Sequence, residues 1–344
     1  MKRLDIGSLT ALLLAIFLAN ASPAVAAAAC TTATAACMEW ISPQPGPGRA
    51  AVYASYPLAT RNSQIARALI LVHGGNRDAD NYFRTSVSAA LLSGALDDTL
   101  IVSPRFAANN GNCRDALATD EINWDCGETT GGWRVGAAAT SNAQVSSYDV
   151  TDLIVMKLAE RANFPNLRSI TVAGFSAGGQ YVTRYEALNQ LHEKIGVPMT
   201  YVVGSPSSYA YLDPQRPEPT GASVGAFADA RNCISYDQWP YGLVRRTGYA
   251  SKLTNEQIQR QLVSRPVTYV VGELETPNSP ALDLSCPATA QGTSRLTRAE
   301  GFFKYITEEY GARHRFLVVP QCGHSPRCVL TADSVLPLLF PKAP

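Results

Sequence analysis

The stretch Gly174-Phe175-Ser176-Ala177-Gly178 decides how this chain folds. The β-branched run Ile170-Thr171-Val172 precedes it and predicts a strand, and a helical stretch over 179–189 follows it. A G-x-S-x-G sequence between a strand and a helix predicts a sharp turn with the serine at its apex, where the glycines let two backbones pass closely. The helix directs its N-terminal N–H groups toward Ser176, so we expect Ser176 to be a nucleophile.

A nucleophilic serine needs a base, and the chain has four histidines. His324 follows the apolar run Phe316-Leu317-Val318-Val319, and a loop after a late strand is where an elbow-bearing hydrolase places its base. We therefore expect His324 to be the base. His192 lies in a polar stretch and His314 between two arginines, so both are predicted to be solvated surface residues.

The fourth histidine, His73, follows the predicted strand Ala68–Val72 and opens the sequence His73-Gly74-Gly75-Asn76. This pattern is typical of a turn whose backbone N–H groups bind an oxyanion, without a role for the imidazole. The predicted oxyanion donors are the N–H groups of Gly75, Asn76 and Ala177.

The third catalytic group is a carboxylate that orients the histidine. The predicted strand Val267–Val271 is followed by Gly272-Glu273-Leu274-Glu275, which places an acid between the serine and the histidine in chain order. Glu275, Glu273 and, after the preceding strand, Asp213 are the candidates.

Short apolar strands alternate with helical segments along the chain, and this alternation predicts an α/β fold with a doubly wound, mostly parallel sheet. Two long insertions, about 106–147 and 205–251, leave the carboxyl ends of strands, where such sheets bind ligands. We expect them to form the walls of a substrate cleft, although their aromatic residues could instead pack the insertions themselves. The candidate substrate-binding residues are Arg114, Trp133, Arg134, Arg231, Trp239, Arg245 and Arg246.

The first 29 residues have the basic start, apolar run and A-x-A sequence of a secretory signal peptide. A lipid anchor at Cys30 is the less favoured alternative. Residues 30–344 are then expected to form one domain of a secreted or periplasmic protein, with no membrane association after cleavage. The net charge of +1 predicts no binding to nucleic acid, and the sequence does not indicate an oligomeric state.

Of the 29 cationic residues, 23 are arginines, which pair with carboxylates in a bidentate manner. A GC-rich genome is an equally good explanation of this excess. Only twenty residues follow His324, without an appended polymer-adsorbing domain, from which we expect a soluble substrate. No H-E-x-x-H or paired C-x-x-C sequence is present, so we expect neither a metal nor an organic cofactor.

The segments 73–82 and 174–180 resemble the α/β-hydrolase superfamily, and the resemblance extends from about residue 50 to residue 340. Within it the chain is similar to the secreted, disulfide-containing depolymerases and esterases, which include poly(aspartic acid) hydrolases and polyhydroxybutyrate depolymerases. Many relatives carry their acid three residues after the strand-ending glycine, usually as Asp, which implies Glu275 here. Spacing and the expected topology favour four disulfides, Cys30–Cys37, Cys113–Cys126, Cys233–Cys286 and Cys322–Cys328.

The resemblance implies a serine hydrolase with a Ser-His-Glu acyl-enzyme mechanism. The favoured substrate is a soluble polyanionic polymer, such as poly(aspartic acid), cleaved within the chain. A carboxylesterase or a polyhydroxyalkanoate depolymerase is the alternative enzyme. A binding protein without activity on the same fold is the alternative from another class.

Overall fold

The computed structural model describes residues 28–126, 132–218 and 223–342, so all but the last two positions of the predicted signal peptide lie outside the described residues. Eight strands form one sheet in the order β1-β2-β4-β3-β5-β6-β9-β10, and β7 and β8 form a separate antiparallel pair. The strands are β1 (Met38–Ile41), β2 (Ala50–Ala54), β3 (Arg67–Val72), β4 (Thr99–Pro104), β5 (Ser169–Phe175), β6 (Met199–Gly204), β7 (Gln215–Pro217), β8 (Val224–Ala226), β9 (Val267–Gly272) and β10 (Arg315–Val319).

The neighbouring strands from β4 to β10 in this order pair in parallel. At the other edge of the sheet, β2 pairs with β4 in the antiparallel direction, and β1 pairs with β2 in the same way.

The helices are α1 (Ala79–Leu92), α2 (Ser147–Ala159), α3 (Ala177–Leu188), α4 (Asn255–Ser264), α5 (Cys286–Thr289), α6 (Arg295–Lys304), α7 (Pro326–Leu330) and α8 (Leu336–Leu339). Short 3-10 helices cover Ala35–Cys37, Gly132–Val135 and Gly248–Lys252, and a π-helical turn, Tyr305–Glu309, extends α6. No helix of the described ranges has both the length and the apolar character of a membrane span.

Helices cover both faces of the sheet, so the central strands are apolar on both sides. In β3, Ile70 and Val72 pack into one core with α2, α3, α4 and α6, whereas Leu69 and Leu71 pack into the other with α1, α7 and α8. Successive side chains of a strand point to opposite faces, which explains why the sequence reads as a continuous apolar run. The predicted α/β class with a mostly parallel sheet is therefore confirmed.

Two features of the sheet and its insertions were not predicted. β1 lies in the segment before the Pro/Gly-rich run 42–48, for which no strand was predicted. The second insertion, between β6 and α4, contains the short β7–β8 pair. Both elements have at most four residues, too few for a periodic pattern to be recognised.

Four disulfides join the pairs of cysteines predicted from the sequence. Cys113–Cys126 closes a loop within the first insertion, and Cys233–Cys286 connects the second insertion to α5. Cys322–Cys328 closes the short loop between β10 and α7, which carries His324.

His314 is buried, so the prediction that it lies on the surface is wrong. Its ring contacts the Tyr269 hydroxyl at 2.9 Å and the Leu262 carbonyl at 2.8 Å, and burial lowers its pKa to about 4. His192 is half-buried and stacks on Tyr201. The charged neighbours of His314 in the sequence, Arg313 and Arg315, are exposed because they alternate with it at the start of β10.

We predict that the disulfide with the longest loop and the one with the shortest loop differ in how much their loss destabilises the protein. By loop-closure entropy, replacing Cys233 and Cys286 by Ala lowers the free energy of unfolding by about 4 kcal/mol, against about 2 kcal/mol for Cys322 and Cys328. Urea unfolding of the two double variants measures this difference. An equal or inverted order of stabilities would contradict the loop-closure argument.

We predict that His314→Gln reduces the pH dependence of stability. Because the folded pKa is about 4 and the unfolded value about 6.5, unfolding takes up a proton between these values. The contribution of His314 to stability is thus complete above pH 6.5 and is lost as the pH falls toward 4, by up to about 3 kcal/mol. Urea unfolding from pH 7 to pH 4 measures how the free energy of unfolding depends on pH. The control is Arg313→Gln, a substitution of an exposed neighbour, which is expected to keep the wild-type dependence. A His314→Gln slope equal to wild type would refute the assignment.

Candidate active site

Ser176 occupies the turn between β5 and α3 with φ 59° and ψ −117°, a left-handed conformation that a non-glycine residue seldom adopts. The two glycines of the motif permit the turn because a side chain at either would collide with backbone. A Cβ atom on Gly174 would lie 2.2 Å from the Gly178 carbonyl oxygen, and one on Gly178 would lie 2.2 Å from the Val72 carbonyl oxygen. The nucleophile elbow thus depends on close backbone contact between β3, β5 and α3.

Ser176, His324 and Glu275 form a continuous chain of hydrogen bonds. His324 Nε2 lies 2.9 Å from Ser176 Oγ, and His324 Nδ1 lies 2.9 Å and 3.1 Å from the two carboxylate oxygens of Glu275. With the carboxylate accepting from Nδ1–H, Nε2 is left free to accept the serine proton. The three residues follow three different strands, β5, β9 and β10, and meet at the carboxyl edge of the sheet.

The register of the last two strands explains how the acid reaches the base. β9 and β10 are parallel neighbours that end together, with Gly272 opposite Val319. The loops that follow are joined by the Leu274 N–H, which donates to the Cys322 carbonyl at 2.9 Å. Glu275 and His324 are therefore brought side by side.

The two alternative acids bind other partners. Glu273 accepts a hydrogen bond from the Gln321 N–H at 2.8 Å, and Asp213 accepts one from the Tyr310 hydroxyl at 2.6 Å. Glu275 is thus the carboxylate that the fold places against His324.

The His73 ring is buried and contacts the first insertion. Its Nε2 accepts from the Phe106 N–H at 3.0 Å, its Nδ1 lies 2.9 Å from the Gly74 carbonyl, and the ring packs on Trp133. Burial lowers its pKa to about 4, so the imidazole is neutral at pH 7. The ring therefore anchors the turn that follows it.

The turn at Gly75 and Asn76 is held by Arg77. The Arg77 N–H donates to the Gly74 carbonyl at 3.1 Å, and the Arg77 guanidinium donates to the Gly75 carbonyl at 3.0 Å and to Asp115 at 2.6 Å. Because C=O and N–H of a trans peptide point in opposite directions, the Asn76 N–H points away from this guanidinium. Ala177 is the first residue of α3, where N–H groups have no partner within the helix.

A cleft of about 800 Å³ lies beside the elbow, between the two insertions. Gly75 and Gln180 border it on the side of the elbow, whereas Ser176 and His324 are not among its lining residues. Its other walls include Arg77, Arg134, Trp239, Tyr241 and Asp283. Burial lowers the pKa of the Arg134 guanidinium, an effect that the nearby Tyr241 and Asp283 oppose.

Two of the seven predicted substrate-binding residues line the cleft, Arg134 and Trp239. Trp133 does not: it is 2% exposed and stacks on Phe106, so the alternative that such aromatics pack the insertions is correct for this residue. Arg246 donates to the carbonyls of Leu243, Ala250 and Leu253 and so stabilises its own loop.

The other three arginines are also outside the described lining of the cleft. Arg114 is exposed and donates to the carbonyls of Gly111 and Cys113, and Arg231 and Arg245 are exposed. The sequence places these arginines in the two insertions. It does not predict where their side chains point, because a long irregular loop has no periodic pattern. Tyr241 and Asp283, which lie in irregular segments, were missed for the same reason. Arg77, which directly follows the quoted turn, and Gln180, in the first turn of α3, were also not predicted to line the cleft.

In the parts of the chain that the structure describes, no group of three or more His, Cys, Asp or Glu side chains could hold a metal ion. The chemistry available at this edge of the sheet is that of a hydroxyl, an imidazole, a carboxylate and backbone donors.

No protein-family model matches the chain, and no curated protein sequence matches it. Poly(aspartic acid) hydrolase-1 of Sphingomonas sp. KT-1 is similar in structure, with a TM-score of 0.61 and 18% identity over 88% of this chain and 97% of that one. A poly(3-hydroxybutyrate) depolymerase of Bordetella parapertussis gives a TM-score of 0.59 and 18% identity over 87% and 86%. This likeness confirms the predicted fold: the chain has the α/β-hydrolase fold.

Proposed function

We propose that the protein is a serine hydrolase that cleaves an ester or amide bond by acyl transfer. The hydrogen-bonded series Ser176–His324–Glu275 carries this proposal. Ser176 Oγ attacks the carbonyl carbon while His324 Nε2 takes its proton, and the same proton then passes to the leaving group. Glu275 holds the imidazole in the productive tautomer and stabilises the imidazolium.

The negative charge of the tetrahedral intermediate needs N–H donors near the carbonyl oxygen. We assign this role to the N–H groups of Ala177, Gly75 and Asn76. The position of Ala177 at the start of α3 and the fixed turn at Gly75 support the assignment. Water activated by His324 then hydrolyses the acyl-enzyme, and no cofactor or metal enters the mechanism.

We further propose that the substrate is a soluble polymer bearing carboxylates, with Arg134 pairing with a carboxylate near the scissile bond. Arg134 and Arg77 are the arginines of the described cleft lining, and Arg134 lies in the first insertion, in the short helix Gly132–Val135. Among the described residues that line the cleft, Asp283 is the one with a carboxylate, and its oxygen accepts from the Tyr241 hydroxyl at 2.7 Å. The structural likeness to an enzyme that hydrolyses poly(aspartic acid) also supports this substrate class.

A neutral ester, as in a carboxylesterase or a polyester depolymerase, is the second candidate substrate. The half-buried Trp239 and the mixed lining of the cleft favour it. Secretion to an oxidising compartment belongs to the proposal in either case, since four disulfides join all eight cysteines.

We predict that Ser176→Ala abolishes both hydrolysis and labelling by a fluorophosphonate. Loss of the serine or histidine of such a triad lowers kcat by about 10⁶-fold, whereas Glu275→Gln lowers it by about 10⁴-fold because the acid does not react. Activity assays on p-nitrophenyl esters and poly(aspartic acid) measure these effects, with Glu273→Gln as the matched control that keeps activity. A wild-type protein that is neither labelled nor active would favour a binding protein without activity, whereas a Ser176→Ala variant with normal turnover would refute Ser176 as the nucleophile.

We predict that Arg134→Gln raises KM for poly(aspartic acid) by about tenfold and leaves KM for a neutral p-nitrophenyl ester within about twofold, since a charge-assisted hydrogen bond contributes about 1.5–3 kcal/mol. The control is Arg231→Gln, which removes an exposed arginine outside the cleft lining. The KM of the wild type for the polyanion also rises with salt, because charges are screened over about 8–10 Å. Equal effects of Arg134→Gln on both substrates would favour the neutral ester.

A further inference from the structure

The acid of the candidate triad is completely buried and contacts a cation, Arg295, in addition to His324. Glu275 is 0% exposed, and its Oε2 lies 3.5 Å from Nη1 of Arg295, whose side chain is also 0% exposed. A buried carboxylate is costly unless an opposite charge and hydrogen bonds compensate for its lost hydration. Arg295 provides this charge at Oε2, an oxygen that also lies 3.1 Å from His324 Nδ1.

Arg295 is well placed to fix the carboxylate because its own position is fixed. It is the first residue of α6, whose N-cap Ser294 accepts from the Thr297 N–H. Its Nη2 donates to the Ala281 carbonyl at 2.6 Å, and Ala281 lines the cleft. One guanidinium thus connects α6, the cleft wall and the acid.

Several charged or titratable groups surround Glu275 and Arg295. His324 and Arg295 face Glu275 directly, and Tyr209 interacts with its charge from the second insertion. Asp283 and Arg298 act on Arg295 from the cleft wall and from α6, respectively. Burial lowers the pKa of Arg295, and Glu275 is the largest influence that opposes this change.

We propose that Arg295 is a positioning residue that keeps Glu275 ionised and aimed at His324 Nδ1. The proposal rests on the serine hydrolase function proposed above. When His324 takes the serine proton, the new imidazolium needs an anionic Glu275. Without Arg295 the buried carboxylate is more easily protonated, and a neutral carboxyl group no longer stabilises the imidazolium.

The test is the pH dependence of kcat/KM for a neutral p-nitrophenyl ester with wild type, Arg295→Met and Arg295→Lys. Arg295→Met is expected to lower kcat at neutral pH by about 10–100-fold with little change in KM, by analogy with other residues that orient a reacting group. The acidic limb of the kcat/KM profile of this variant is expected to move to higher pH by about one unit or more. Arg295→Lys keeps the charge and is expected to restore the wild-type limb.

The matched control is Arg265→Met. Arg265 is likewise a buried arginine paired with a glutamate, Glu193, at 2.8 Å, but it precedes β9 whereas Glu275 follows it. Loss of Arg265 is expected to lower the midpoint of thermal unfolding without moving the pH profile. A shift of the profile that is equal in both variants would overturn the proposal, because it would reflect general destabilisation.

A second measurement covers the case in which Arg295→Met does not fold. In a Glu275→Gln background there is no carboxylate to keep ionised, so Arg295→Gln, a polar replacement without the charge, is expected to change kcat/KM less than about twofold. A further loss of tenfold or more in that background would overturn the proposal. If the wild type itself has no esterase activity and no fluorophosphonate label, the proposed function fails, whereas an active wild type with an unshifted Arg295→Met profile refutes the inference alone.

Discussion

The contact of backbone with backbone at the Ser176 turn is the constraint on which the site depends. Three glycines allow it, since a Cβ on Gly174, Gly178 or Gly179 would lie 2.2 Å from a carbonyl oxygen of α3, β3 or β6. The dense packing of α3 against the centre of the sheet holds Ser176 in its left-handed conformation. The strained serine is therefore supported by the buried strands and helix at the centre of the fold.

The other two triad residues are positioned by different means. His324 lies on a loop closed by Cys322–Cys328 and bonded to the neighbouring loop, so covalent and backbone restraints define its place. Glu275, whose loop is placed by the register of β9 and β10, is buried between the His324 imidazole and the Arg295 guanidinium. Covalent and backbone restraints thus hold the base, whereas the acid has, in addition to its backbone restraints, a buried ion pair.

Most of the fold and the three triad positions followed from the sequence because short apolar runs and turn motifs are local signals. The sheet edge β1 was missed because its four residues give no period, and the surface prediction for His314 failed because its charged neighbours alternate outward. The insertions were recognised, but five of their seven predicted binding residues do not line the cleft. Side chains in such loops are directed by tertiary contacts, as Trp133 on Phe106 illustrates, and no local pattern records those contacts.

The Cys233–Cys286 disulfide has a consequence for how the protein would recognise a long, flexible molecule. It joins the second insertion to the chain just beyond the segment that holds Ala281 and Asp283, so two walls of the cleft belong to one covalently closed unit. The conformational entropy of these walls is lost when the protein folds, and little of it remains to be lost when a ligand enters. Most of the conformational entropy that is lost on binding is then that of the ligand, so the cleft favours ligand chains that are already extended in solution.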